Sequence, residues 1–169
     1  MPGIIKKYVK AVDGFNRVVG LFAMYLIFVM MGILFYSSVS KTFFLPSLWT
    51  LEMAQFTMAA YYLLGGGYSM QKNSHVRMDL FYGNWSPKTK AITDSFTVIT
   101  LIIYLLFLLY GAYSSTAYSL QYGEVSNSAW APYLAPVKIV MAVGIFLMLL
   151  QAIAAFFKNV ALATGREIS

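Results

Sequence analysis

Four long stretches of this chain carry no charged side chain, and in a polypeptide of 169 residues that fixes the solvent in which it can fold. Val18 to Ser40 is the first, 23 residues; as a helix it is about 34 Å long, enough to cross a hydrocarbon core about 30 Å thick. Met53 to Gln71 lies between Glu52 and Lys72, Ser95 to Gly123 between Asp94 and Glu124, and Ile139 to Phe157 between Lys138 and Lys158. Lipid offers backbone groups no hydrogen bonds, so such runs predict helices, and none of them alternates with the period of two that a barrel strand needs. The composition agrees: 60% of residues are hydrophobic and 11% charged, against about 25% charge in soluble domains. The expected fold is an all-α membrane protein, one domain over residues 1–169, with spans near 18–40, 53–71, 95–119 and 138–158.

The direction of the spans follows from Lys and Arg. Lys6, Lys7, Lys10 and Arg17 precede the first span; Lys72, Arg77, Lys88 and Lys90 fall between the second and third; Lys158 and Arg166 follow the fourth. Only Lys41 and Lys138 stand on the opposite side. Basic residues near span ends stay in the cytoplasm, so both termini are expected there. The net charge of +6 forms no dense basic block, which argues against a nucleic-acid partner and for membrane lipid. No cysteine is present and His75 is the sole histidine, which removes thiolate chemistry, Cys-ligated metals and bis-histidine haem.

Between the spans, Ile4, Tyr8, Val12, Phe15 and Val19 recur at helical spacing while charged residues fill the other directions. That pattern fits an amphipathic helix lying in the membrane interface, or a solvated extension of the first span. Ser86-Pro87 reads as a helix start. Asn84-Trp85-Ser86 matches a glycosylation acceptor but falls on the cytoplasmic side. Trp130, Pro132, Tyr133 and Pro136 mark the third connection as a break between helices at the headgroup level.

Residues that could carry chemistry are few. Glu52, beside Trp49 at the outer end of the second span, either snorkels to the interface or pairs with a cation on this chain or a partner, Lys41 being the basic residue on that side. Gly65, Gly66 and Gly67 suit close helix approach, with unwinding around an ion as the other use. Gly144 and Gln151 share a face of the fourth span, where a buried amide needs a partner from another helix. His75, Arg77 and Asp79 cluster in the cytoplasmic connection without a nucleophile or pocket. The sequence therefore implies no enzyme, no metal and no cofactor. No span has an acidic or basic residue well inside it, so the chain reads as a support, with an autonomous four-helix carrier or the anchor of another membrane complex as alternatives.

Trp49-Thr50-Leu51-Glu52, the stretch AAYYLLGGGYSMQKNSHVRMDLFY over 59–82, Trp85-Ser86-Pro87 and the later SNSAWAPYLAPVK followed by Gly144 and Leu150-Gln151 closely resemble the small membrane subunit of tripartite ATP-independent periplasmic (TRAP) transporters, of the DctQ type. Its mannitol or chloroaromatic-acid branch is the most similar. The resemblance implies a bacterial inner-membrane brace beside a large multi-pass subunit that moves an organic acid with a sodium gradient, and a periplasmic solute-binding protein that delivers it. By position it assigns the family's tryptophan and glutamate to Trp49 and Glu52, and its histidine, arginine and aspartate to His75, Arg77 and Asp79. Glu52-Met53 stands where many members have two acidic residues, and Ser40-Lys41-Thr42 where many have an arginine-tyrosine pair.

Overall fold

A computed structural model of the chain describes residues 3–72 and 87–163, and the described residues form four helices: α1 (Gly3–Phe43), α2 (Thr50–Gln71), α3 (Pro87–Tyr122) and α4 (Ala135–Ala163). Each covers the span expected for it and continues past at least one of its ends, because charged side chains end the apolar stretch without breaking helical hydrogen bonding. Residues 3–17 are the first turns of α1, with no break before the span, so an N-terminal helix separate from it is not formed. The side chains that are covered there also differ in part from the expected face: Val9 and Val12 pack with Ala154 and Phe157 of α4, while Phe15 is exposed. Asn16 and Tyr8, about 12 Å apart along α1, meet adjacent residues of α4, the pattern of a steep crossing.

The helix ends have local causes. Proline disfavours helical backbone in the residue before it, and α1 stops two residues short of Leu45-Pro46. There the Ser40 hydroxyl donates to the Leu45 carbonyl at 2.9 Å. Pro87 opens α3 in the first turn, where its missing N–H is harmless, and Ser86 lies outside the described residues. At the other end of α3, Gly123 takes φ +61° and the Glu124 N–H bonds back to the Ser119 carbonyl at 3.2 Å, a Schellman closure. The chain then makes a small hairpin: Val125 bridges Tyr133, and Leu134 N–H donates to the Glu124 carbonyl at 3.0 Å. An ion pair between Glu124 and Lys138 ties this hairpin to the first turn of α4.

In the packed body α4 is the hub, meeting α1, α2 and α3, while α1 and α2 run antiparallel to each other. Leu105 of α3 joins Ile145, Leu149 and Ala152 of α4 in the largest buried apolar cluster. Three helices, α1, α3 and α4, are long and apolar enough to cross a membrane. α2 is not among them, although its 22 residues are about 33 Å long; glycine, tyrosine and polar side chains lower its apolarity, and it lies between α1 and α4.

Candidate functional site

A buried polar relay joins the first turns of α1 to α4. Asn16 and Gln151, each 1% exposed, face one another, and the Asn16 Nδ2 donates to Gln151 Oε1 at 2.7 Å. Gln151 Nε2 in turn donates to Asp13 Oδ1 at 2.9 Å, and Asp13 Oδ2 accepts from Lys158 Nζ at 2.6 Å. Amides buried in apolar surroundings cost several kcal/mol unless they are hydrogen-bonded, so the partners specify one register of α1 on α4. Asp13 and Lys158 are partly exposed, which keeps the charges of the relay at its wetter end.

Glycines seat α2 against this frame. A Cβ on Gly67 would stand 2.8 Å from Asn16 Oδ1, and one on Gly66 would stand 2.7 Å from the Met148 sulfur. Adjacent positions of α2 thus meet different helices, α1 and α4. Gly144 meets Leu63 so closely that an added Cβ would lie 2.9 Å from that residue's carbonyl carbon. Gly20 presses on the Tyr68 side chain, whereas Gly65 has looser surroundings, with Ala23 3.9 Å away. The helices remain continuous through all three glycines of α2.

At the opposite end of the bundle, Thr50 is fully buried at the start of α2 and its hydroxyl donates to Ser37 Oγ at 3.1 Å across to α1. It also lies 3.0 Å from Ser47 Oγ. Trp49 stacks on Tyr36, rings 5.7 Å apart and 28° from parallel. Glu52 Oε2 is buried with no hydrogen-bond partner among the described residues. Trp130 and Pro132 sit at the far side of the α3–α4 hairpin, where the Pro132 carbonyl accepts from Ser126 N–H at 2.9 Å.

The sequence candidates therefore divide into separate places. Gly66, Gly67, Gly144 and Gln151 line helix–helix seams; Trp49, Trp130 and Pro132 occupy the connections at the other end, with Glu52 in the first turn of α2 beside them; His75, Arg77 and Asp79 lie outside the described residues. Asp13, Asn16, Gly20, Ser37, Thr50 and Lys158 do comparable work and were not singled out by sequence. Asn16, Gly20 and Ala23 at i, i+4 and i+7 form a small and polar stripe on α1 that could have marked the seam. Among the described residues no group of three or more His, Asp or Glu side chains could hold a metal ion.

The outer faces contrast with these seams. Only 11% of the residues in the most apolar stretch of α1, and 6% in that of α3, are buried, against 39% in α4. Phe22, Phe28 and Phe35 of α1 and Phe96, Phe107 and Tyr113 of α3 stand out from the body. A water-facing protein rarely exposes contiguous apolar surface on this scale. The family model of the DctQ component of tripartite ATP-independent periplasmic transporters matches residues 14–162, from the polar relay through nearly all of α4. No curated protein matches the chain.

Proposed function

This chain belongs to the DctQ component family of tripartite ATP-independent periplasmic transporters, and from that premise we propose that it is the static small subunit of a sodium-coupled importer of an organic acid. As a member of that family it is a membrane protein and a non-catalytic transporter component. On this reading it crosses the bacterial inner membrane four times with both termini cytoplasmic, braces a large multi-pass subunit, and borders the place where a periplasmic solute-binding protein docks. The mannitol or chloroaromatic-acid branch is the substrate class the sequence favours.

The observation that carries the proposal is the contrast between seams and faces: side chains lock α1, α2 and α4 to each other, while α1 and α3 leave most of their apolar surface uncovered. Lipid and a large hydrophobic partner are the two coverings that make such surface stable. A locked frame also serves a transport partner whose moving part needs something fixed to work against. The fourth crossing is supported by α2 lying along α1 from the Thr50–Ser37 contact to the Gly67–Asn16 contact, roughly the thickness of the hydrocarbon core. Its modest apolarity follows from being shielded by neighbours. Ten basic residues against two support the orientation.

The test is co-expression with a large multi-pass subunit of a tripartite ATP-independent periplasmic transporter from the same organism. The chain is expected to co-purify with that subunit, and substrate uptake into cells is expected to vanish when it is deleted. Uptake that continues at the normal rate without it removes the essential role. Flux through liposomes containing this chain alone would instead establish an autonomous carrier.

A further inference from the structure

Between α1 and α2 an open groove of about 600 Å³ runs beside the glycine seam. Gly20, Ala23, Gly65 and Gly66 line it and its walls are largely apolar; Tyr68 packs on Gly20 and Met148 on Gly66, while Gly65 leaves open space beside Ala23. One end is different. There Ser69 and Lys72 line the groove, and the Lys72 ammonium stands 5.8 Å from the centre of the Tyr68 ring. Among the described residues no carboxylate is paired with Lys72. Arg17, exposed and three residues before Gly20 on the antiparallel α1, lies toward this same end, which is also the end of the Asp13–Lys158 pair.

Its polarity selects among occupants. The groove is apolar over most of its length, with a cation and a hydroxyl where the basic end of the bundle begins, which is the order of tails and phosphate in a lipid. An apolar face of a partner helix would leave the Lys72 ammonium without a counter-charge.

We propose that this groove holds one phospholipid, its tails along Gly20, Gly65 and Gly66 and its phosphate against Lys72 and Ser69. Occupied, it fills the open side of the α1–α2 seam and makes the lipid part of the frame. The proposal rests on the chain's placement in a membrane and needs nothing of the transport reaction.

Full-length chain purified in detergent and stripped of lipid is titrated with phosphatidylglycerol, with diacylglycerol of the same tails, and with glycerophosphate, and the bound molecules are counted by native mass spectrometry. One phosphatidylglycerol is expected to bind at least tenfold more tightly than either of the others. Lys72→Glu should abolish that preference and Lys72→Arg keep it. Gly65→Leu should prevent the binding; a Cβ there meets only Ala23 within 4 Å, so the leucine enters the groove without displacing backbone. Unchanged lipid binding in both Lys72→Glu and Gly65→Leu overturns the proposal. So does glycerophosphate binding as tightly as the lipid, which makes the site one for free phosphate. A third contrary result is a cross-link from Met24→Cys to a helix of the large subunit in the co-expressed complex, with no lipid retained. None of these measurements reads uptake, so a negative result leaves the transporter role standing.

Discussion

Gln151 sits where a fold of this kind is least forgiving, because its amide has two partners on another helix and no water to replace them. Gln151→Ala deprives Asn16 Nδ2 and Asp13 Oδ1 of their bonds and leaves a buried amide uncompensated, a loss of about 1–3 kcal/mol. A lower midpoint of thermal unfolding in detergent is the expected outcome. The double variant Asn16→Ala/Gln151→Ala should lose less than the sum of the two singles, with a coupling of about 1 kcal/mol by double-mutant cycle, near the upper part of what interhelical bonds in membranes contribute. Strict additivity would mean that the two amides do not depend on each other. At this scale sequence reading was uneven for a physical reason. A lone Gln among aliphatic residues stands out as a group that must find a partner, while Asn16 sits among Asp13, Arg17 and lysines, where a polar residue looks like one more solvated position. Asp13 and Lys158 are 145 positions apart, and no local pattern couples them.

Among the elements, charge-free runs located all four helices but not their ends. Helical hydrogen bonding continues past a lysine or an aspartate, so α3 begins at Pro87, where Ser86-Pro87 reads as a helix start, eight residues before its charge-free run, and α1 starts at Gly3. What decides how the helices meet is backbone proximity, which glycine permits and periodicity alone does not reveal. Gly144→Ala is the sharpest case, because the new methyl would press on the backbone of Leu63, which cannot rotate away. α2 and α4 must separate, and the expected cost is about 1–3 kcal/mol of stability. Gly14→Ala on α1 is the matched control: nothing lies within 4 Å of its added Cβ, and the better helix propensity of alanine should leave stability equal or raised by up to about 1 kcal/mol. Melting curves of the two variants side by side check both signs. A Gly144→Ala protein as stable as Gly14→Ala would mean that the α2–α4 seam yields freely.

For the molecule as a whole, the question is whether α2 crosses the membrane, since three helices meet the length and apolarity of a span and α2 meets only the length. The two possibilities place different parts of the chain together. With four crossings, the start of α1 and the α3–α4 hairpin lie on opposite sides; with three, they share a side. Both ends of the packed body favour the first, because the α1 start is tied to the end of α4 through Asp13 and Lys158, and the Ser37–Thr50 contact marks the far end of the α1–α2 pair. The absence of native cysteine makes a direct measurement possible without background. Asn127→Cys, exposed in the hairpin, should react with a membrane-impermeant maleimide added to cells whose outer membrane is leaky, and Lys7→Cys, exposed near the start of α1, should react only once the inner membrane is opened. Exchange of the two patterns would invert the orientation drawn from the basic residues while keeping four crossings. Labelling of both sites from one side would remove α2 from the membrane, and with it the explanation of its glycines as a seam between spans.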